Sequence, residues 1–203
     1  MEPYMDEAIV RARMEEERKG FVDTYTGMYA GDRLLQFEER ELSKEGDGPG
    51  PIILRLPVSY TVMEPERARR KYPSEDRPQA IYTDERGCVD LTFSLFPQRV
   101  GPDQIRGALM RYQALIKKCR QDASILEKGT YPMEKGCGGW FTFRNEALDE
   151  EMFGLLALIG TDRYLVLCMC SCPYDERGEQ EPVMHQVIRT IREKGADIRR
   201  KGR

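Results

Sequence analysis

The sequence predicts an α+β fold, an antiparallel sheet of about six strands with helices packed on its faces. Residues 80–83 and 88–96 flank the turn sequence at 84–87, which is the pattern of a hairpin. Residues 103–120 repeat apolar side chains at helical spacing. Residues 164–172 are apolar on both faces, as in a strand covered from both sides. Strands joined by short turns pair antiparallel, and a covered strand needs helices beside it.

Residues 1–32 are predicted to form an N-terminal helical arm. Within it, residues 4–19 read as a helix with Met5, Ile9 and Ala12 on one face. This apolar stripe is too short to hold a helix in isolation. We therefore expect the arm to dock on the body or on another chain, and these three side chains are candidate partner-binding residues.

Residues 33–194 are predicted to form a single α+β domain. It begins with strands at 33–42 and 52–56, separated by the turn-rich sequence GDGPGP at 46–51. A long hairpin loop is the preferred interpretation of that sequence, with a flexible linker between arm and domain as the alternative. A short helix at 65–71 has acidic residues at its start and basic residues at its end, which complements the helix dipole.

The second half of the chain contains the strongest helix, further strands and a second helix. In the helix at 103–120 the apolar side chains with helical spacing are Ile105, Ala108, Leu109, Tyr112, Leu115, Ile116 and Cys119. Strands are predicted near 124–131, 137–144, 151–159 and 164–172. A helix at 182–194 has Pro182 in its first turn, and its helical spacing places Val183, Met184, Val187, Ile188 and Ile191 on the inward side. The tail at 195–203 is polar and basic, and we expect it to be disordered.

Composition limits the classes of partner. The 203 residues are 40% hydrophobic and 33% charged, and 32 basic against 35 acidic side chains give a net charge of −3. A nucleic-acid-binding domain usually has a basic excess, so no nucleic-acid partner is expected. The sequence has no apolar run long enough to span a bilayer and no secretory signal, which predicts no membrane insertion and a cytoplasmic location.

The sequence shows no catalytic or cofactor motif, and we expect no cofactor, no metal and no enzymatic activity. Cys168, Cys170 and Cys172 alternate on one predicted strand, so their sulfurs would lie about 7 Å apart on one face. That spacing is too wide for one tetrahedral zinc ion, and buried cysteine packs as a small hydrophobic residue. Metal or redox use is the alternative. His185 is the only histidine, and it is expected at an exposed or rim position.

Residues 52–191 resemble the PsbP-like superfamily, which also contains a Ran-binding transport factor and bacterial secretion chaperones. The resemblance rests on three features: an apolar strand ending in Leu56-Pro57 before Tyr60, the hairpin at 80–96 followed by an amphipathic helix, and Trp140-Phe141 on a later strand. The spacing of LRLP, KYPSEDRP and the sequence at 89–97 is similar to short uncharacterised proteins of gut Firmicutes. The resemblance implies a curved sheet and a protein that binds other proteins without catalysis.

The predicted function is that of a non-enzymatic protein-binding module, such as an adaptor, a secretion chaperone or a toxin-neutralising immunity protein. In the strand at 88–96, Asp90, Thr92 and Ser94 alternate with apolar residues and predict a polar sheet face. Tyr60 and Tyr82 are aromatic anchors that either cap the core or form a recognition patch, and the sequence does not favour one over the other. These five residues complete the candidate partner-binding set, and a homodimer is a possible form.

The alternative is a small-ligand-binding protein or an enzyme whose site is assembled from scattered polar residues. Glu127, Asp90 and Tyr82 are the candidates for such a site. A deep cleft that contains an acidic side chain would favour this alternative. A flat or grooved surface with apolar patches would favour the protein-binding module.

Overall fold

The computed structural model describes most of the chain as two antiparallel sheets and three α-helices. The described residues are 27–30, 33–43, 46–48, 50–133, 136–147 and 150–194. The α+β prediction is confirmed. Met5, Ile9 and Ala12 lie outside the described residues, as does the predicted tail at 195–203.

The larger sheet has seven strands in the order β5-β6-β7-β11-β10-β9-β8. These strands are β5 (Thr61–Val62), β6 (Ala80–Thr83), β7 (Asp90–Phe96), β8 (Ser124–Tyr131), β9 (Cys137–Glu146), β10 (Glu151–Gly160) and β11 (Leu165–Pro173). The predicted hairpin of β6 and β7 is present, with Asp84 accepting hydrogen bonds from the Cys88 and Val89 backbone amides across the turn. β11, the strand predicted to be covered on both faces, lies near the middle of this sheet.

The smaller sheet brings together the first and last described parts of the chain. Its strands are β1 (Gly27–Ala30), β2 (Arg33–Ser43), β3 (Gly46–Asp47), β4 (Ile52–Pro57) and β12 (Arg192–Glu193). β2 pairs with β4, and β3 pairs with β2, so the GDGPGP sequence lies in a hairpin connection, as the preferred interpretation predicted. β12 pairs with β4 and closes the order β1-β2-β4-β12.

The register of the larger sheet separates its side chains into two faces. Leu155, Cys170 and Leu91 are cross-strand neighbours, and they share what we call the inner face. Their sequence neighbours Leu156, Met169 and Thr92 are also paired across the strands, and they share the outer face. Side chains alternate between faces along each strand, so the two sets are interleaved in the sequence.

The inner face packs against the smaller sheet and helix α3 (Arg177–Arg189). Val183, Met184, Val187 and Ile188 of α3 are buried, as the helical spacing predicted. They form one apolar cluster with Leu54 of β4 and the inner face of the larger sheet. This cluster is the main core of the protein.

The outer face is covered by two helices from the middle of the chain. Helix α2 (Pro102–Cys119) packs through Ile105 and Leu109 on Phe141 and Leu156. Helix α1 (Pro65–Lys71) covers the β6 side of this face with the small cluster of Met63, Ala68 and Ile81. Between the two helices, Ser94 of β7 and the β11 side chains Leu167 and Met169 stay partly exposed.

Three features differ from the sequence prediction. The described residues form twelve strands in two sheets where about six in one sheet were expected, and several of these strands are only two to four residues long. β1 lies within the range assigned to the arm, and its pairing with β2 makes it part of the smaller sheet. The last helix was expected at 182–194 and is observed as α3, five residues earlier.

The shift of α3 has a tertiary cause. Pro182 lies inside the helix on the solvent side, not in its first turn. After the helix, Arg192 and Glu193 leave helical geometry to pair with β4. The buried Glu193 carboxylate accepts hydrogen bonds from the Thr161 hydroxyl at 2.7 Å and the Arg163 backbone amide at 2.7 Å. Burial alone would raise the pKa of Glu193, but these hydrogen bonds hold it below its usual value.

Within the described residues, no helix is long and apolar enough to cross a membrane.

Candidate functional site: an apolar groove beside helix α2

An open groove lies on the outer face, between α2 and the ends of strands β7 and β11. Its volume is about 340 Å³. The residues that line it are Phe96, Gln98, Ala108, Arg111, Tyr112, Leu115, Leu158 and Leu165. Leu158 and Leu165 are buried and form the floor, whereas Phe96 is 39% exposed and Leu115 is 52% exposed. We call this feature the α2 groove.

The width of the apolar stripe on α2 explains why the groove is apolar. Ile105 and Leu109 point to the sheet, and Ala108 and Leu115 lie about a quarter turn to one side of them. Leu115 is 52% exposed on that side, so the stripe is wider than the surface that covers it. Leu115 therefore projects over the floor and is not buried in it.

The segment around the groove is strongly basic. From Gln98 to Arg120 the chain has six basic side chains and one acidic side chain, although the whole protein has a net charge of −3. The acidic one, Asp103, pairs with Arg106 at 3.3 Å. Arg111 and Lys118 lie on the groove side of α2 with Leu115, at i, i+4 and i+7 spacing. Within the part of the chain that the structure describes, no carboxylate pairs with either of them.

Five of the predicted partner-binding residues lie in the described part of the chain, and the structure buries four of them. Tyr60 is 4% exposed, and its hydroxyl donates a hydrogen bond to the Gln180 side chain at 3.1 Å. Tyr82 is 1% exposed, and its ring meets Phe93 edge to face. Both tyrosines belong to the inner core. They cannot contact a partner directly in this conformation.

The predicted polar sheet face is covered at two of its three positions. Asp90 is fully buried, and its Oδ2 accepts a hydrogen bond from the Tyr72 hydroxyl and pairs with Lys71 Nζ, each at 2.7 Å. Thr92 is 3% exposed and donates to the Met169 carbonyl oxygen at 2.9 Å. Ser94 is partly exposed between α1 and α2. The alternation of polar and apolar residues in β7 correctly predicted that these three side chains share one face of the sheet. It could not show that helix α1 would cover that face.

The residues of the alternative site do not converge. Tyr82 faces the inner core, whereas Asp90 lies on the outer face under α1. Glu127 lies on β8, the opposite edge of the larger sheet, and pairs with Arg177 at 2.8 Å. Asp90 and Glu127 are thus separated by three intervening strands, β11, β10 and β9.

The three alternating cysteines lie in the inner core, where packing was expected to place them. Cys168, Cys170 and Cys172 are each 0% exposed and are free thiols. Burial raises the pKa of all three, which disfavours the thiolate that nucleophilic or metal chemistry needs. Among the described residues, no three histidine, cysteine or acidic side chains group together in a way that could hold a metal ion.

His185 lies at the rim of the inner core, in agreement with its predicted position. Its Nδ1 shares a hydrogen bond of 2.7 Å with the Tyr131 hydroxyl, and its ring meets Trp140 edge to face at 4.6 Å. Burial, assisted by the nearby Arg189, lowers the pKa of His185 to about 4. The imidazole is therefore neutral at physiological pH and serves in packing.

Sequence reasoning did not identify Phe96 and Leu115 as site residues. Leu115 was assigned to the helix stripe, where helical spacing alone gives no sign that the sheet fails to reach it. Phe96 was assigned to the end of a strand before Pro97. One feature of the sequence could have indicated the site: on one side of the helix, the apolar Leu115 lies between the basic residues Arg111 and Lys118.

Comparison with protein-family models and with curated proteins finds no match to this sequence. Among solved structures, the fold is similar to that of cyanobacterial PsbP (CyanoP) from Synechocystis sp. PCC 6803. The TM-score is 0.58 at 10% identity, covering 83% of this chain and 98% of that one. It is also similar to LpqN of Mycobacterium tuberculosis, which is involved in cell envelope biogenesis. That TM-score is 0.51 at 8% identity, covering 77% of this chain and 91% of that one.

The Ran-binding protein Mog1p of Saccharomyces cerevisiae aligns with a TM-score of 0.49 at 12% identity, over 78% of this chain and 95% of that one. The predicted origin in Firmicutes stays a prediction. At 8 to 10% identity, the likeness to CyanoP and LpqN concerns the fold alone, and it confirms that the architecture is PsbP-like.

Proposed function

We propose that this protein is a binding module that docks an apolar segment of another protein in the α2 groove. The observation that carries the proposal is the exposure of Leu115 and Phe96 above a floor of Leu158 and Leu165. Phe96 and Leu115 line the same groove, and apolar side chains exposed side by side are a feature of interaction sites. Burying the exposed half of a leucine stabilises a complex by about 1 kcal/mol.

The groove has the elements of a protein-binding surface. Its centre is apolar, with the aromatic side chains of Phe96 and Tyr112, and its rim contains Arg111. Aromatic residues and arginine are enriched among the residues that dominate binding energy. An adaptor, a secretion chaperone or an immunity protein would each use such a surface. The residues of the groove do not distinguish between these roles.

The proposed location is the cytoplasm. Cys88 and Cys119 are exposed free thiols, and the inner core contains three more unpaired cysteines. A reducing compartment keeps such thiols unpaired. Location of the native protein by cell fractionation is the measurement that tests this.

The proposal is tested by comparing two matched surface substitutions. Leu115→Ser removes the apolar centre of the groove, whereas Met110→Ser removes an apolar side chain that is 66% exposed on the other side of α2. We expect a protein captured by the wild type from native lysate to be retained by Met110→Ser and lost by Leu115→Ser. Quantitative mass spectrometry of the captured proteins gives the readout. Equal capture by both variants would contradict the proposal.

A small apolar ligand is the second candidate occupant, because 340 Å³ lies at the lower end of the volumes of ligand pockets. Native mass spectrometry of protein purified from its own host separates the two. A bound small molecule that is lost in Leu115→Ser but kept in Met110→Ser would favour this candidate. The same comparison by light scattering reports whether the partner is a second copy of this chain.

A further inference from the structure

We infer that the segment docked in the α2 groove is an acidic amphipathic one, with apolar side chains on one side and carboxylates on the other. The inference rests on the proposed function and adds the chemistry of the partner. It follows from the position of charge around the groove, and each step depends on exposed side chains of α2.

The first step is that the basic charge of α2 has no internal counterpart on the groove side. Arg111 and Lys118 are exposed, and within the described ranges neither forms an ion pair. Other bases of the protein do have carboxylate partners: Arg86 pairs with Glu176, and Arg177 pairs with both Glu127 and Glu181. The groove side of α2 therefore has positive charge that is available to an outside partner.

The second step is that charge and apolar surface occupy the same strip. Arg111, Leu115 and Lys118 lie on one side of the helix, and Arg111 also lines the groove. A segment that places an apolar side chain on Leu115 and Phe96 brings its flanking residues next to Arg111 and Lys118. Carboxylates at those flanking positions are attracted, whereas bases are repelled.

The third step is that the groove favours a peptide over other anionic molecules. Nucleic acid would use the basic side chains but would leave Leu115 and Phe96 without an apolar partner. An amphipathic helix with anchors at i, i+3 or i+4, and i+7 matches an apolar groove beside a helix. The acidic amphipathic peptide therefore satisfies both the charged and the apolar parts of the strip.

The experiment uses two synthetic 16-residue peptides with identical leucine positions, in which every polar position is glutamate in one and lysine in the other. Fluorescence anisotropy measures their binding to the full chain. We expect the glutamate peptide to bind at least about tenfold more tightly at low salt, with the preference falling as salt screens the charges. Leu115→Ser should weaken binding of the glutamate peptide about tenfold, and Met110→Ser should not.

The charge is tested by a matched pair of double substitutions. Arg111→Glu with Lys118→Glu reverses the groove side, and Arg106→Glu with Lys117→Glu makes the same change in net charge on the other side of α2. We expect the first pair to reverse the peptide preference and the second to leave its direction unchanged. Circular dichroism confirms that both fold, which the exposure of all four side chains favours.

The outcomes separate this inference from the proposed function. Equal binding of both peptides, weakened by Leu115→Ser, would overturn the acidic partner and leave the binding groove in place. No binding of either peptide, or binding that Leu115→Ser does not change, would overturn both. Tighter binding of a 20-nucleotide single strand or of anionic vesicles would replace the peptide with that partner. Tighter binding of a peptide of residues 1–20 would make the chain's own arm the occupant.

Discussion

The two faces of the larger sheet are built from alternate residues of the same strands, yet they are closed to different extents. On the inner face Leu155 and Cys170 are 0% exposed, sealed by α3 and the smaller sheet. On the outer face Leu167 and Met169 stay partly exposed, and Leu115 of the covering helix α2 is 52% exposed. The inner face is covered by both ends of the described chain, and the outer face only by helices from its middle.

This difference separates stability from binding. The inner core forms only when the parts of the chain at 27–57 and 177–193 come together. Its contacts therefore join residues that are far apart in the sequence. The outer face leaves apolar and basic side chains available at its margin. Substitutions on the inner face should therefore lower stability, and those at the outer margin should lower binding. Four predictions follow this division, from the largest expected change in stability to the smallest.

The largest effect is expected from a leucine pair on the two faces. Leu155→Ala should lower the free energy of unfolding by about 3–5 kcal/mol, because it leaves a cavity in a closed core. Leu167→Ala, on the outer face of the adjacent strand, should cost about 1–2 kcal/mol, because Leu167 is partly exposed. Urea unfolding of both variants makes the measurement. Equal losses would contradict the difference between the faces.

The second prediction concerns pH and His185 at the rim of the inner face. The pKa of His185 is about 4 in the folded protein, below the usual 6.5, so as pH falls the unfolded chain takes up the proton first. Stability should therefore fall between pH 6.5 and pH 4, by up to about 3 kcal/mol from this group.

The control for that prediction is His185→Gln, which removes the titrating group. Urea unfolding at pH 7 and pH 4.5 should show a smaller loss in the variant than in the wild type. An identical pH dependence in the two proteins would show that His185 is not buried in the neutral form.

The third prediction tests the cysteines as packing residues. Cys170→Ser places a hydroxyl in the closed inner core and should cost about 1–3 kcal/mol. Cys88→Ser, at an exposed thiol, should leave stability unchanged within about 0.5 kcal/mol. Thermal melts give the comparison, and elemental analysis of the wild type should find no stoichiometric zinc or iron. A stoichiometric metal would contradict this prediction and make the cysteines metal ligands.

Much of the fold could be predicted because local patterns specify it. The alternation in 88–96 and the doubly apolar run at 164–172 identified a hairpin and a covered strand, and the helical spacing of Val183 and Val187 identified the inward side of α3. The residues at which α3 begins and ends could not be predicted. Its end depends on the pairing of Arg192 and Glu193 with β4, a contact with residues about 140 positions earlier in the chain.

The candidate site could be predicted less well, because exposure is a tertiary property. Asp90 and Thr92 are polar and alternate with core residues, which suggests a solvent-facing surface. Helix α1 covers Asp90 through Lys71 and Tyr72, and no local pattern records that. For Leu115 the prediction fails in the opposite direction. Its helical spacing indicates a core position, but the sheet does not reach it and the side chain is exposed.

The smallest change in stability is expected at the outer margin, where Leu115 and Met110 are compared. Each is more than half exposed, so Leu115→Ser and Met110→Ser should each change the free energy of unfolding by less than about 1 kcal/mol. If Leu115 serves binding alone, its loss should be as well tolerated as that of Met110, and urea unfolding of both variants measures this. A loss of 2 kcal/mol or more for Leu115→Ser alone would contradict this expectation. It would mean that Leu115 is buried on the outer face in solution and that the groove is closed. Matched stability, together with the loss of binding in one variant only, assigns Leu115 to recognition, because both side chains are exposed on α2 but only Leu115 lines the groove.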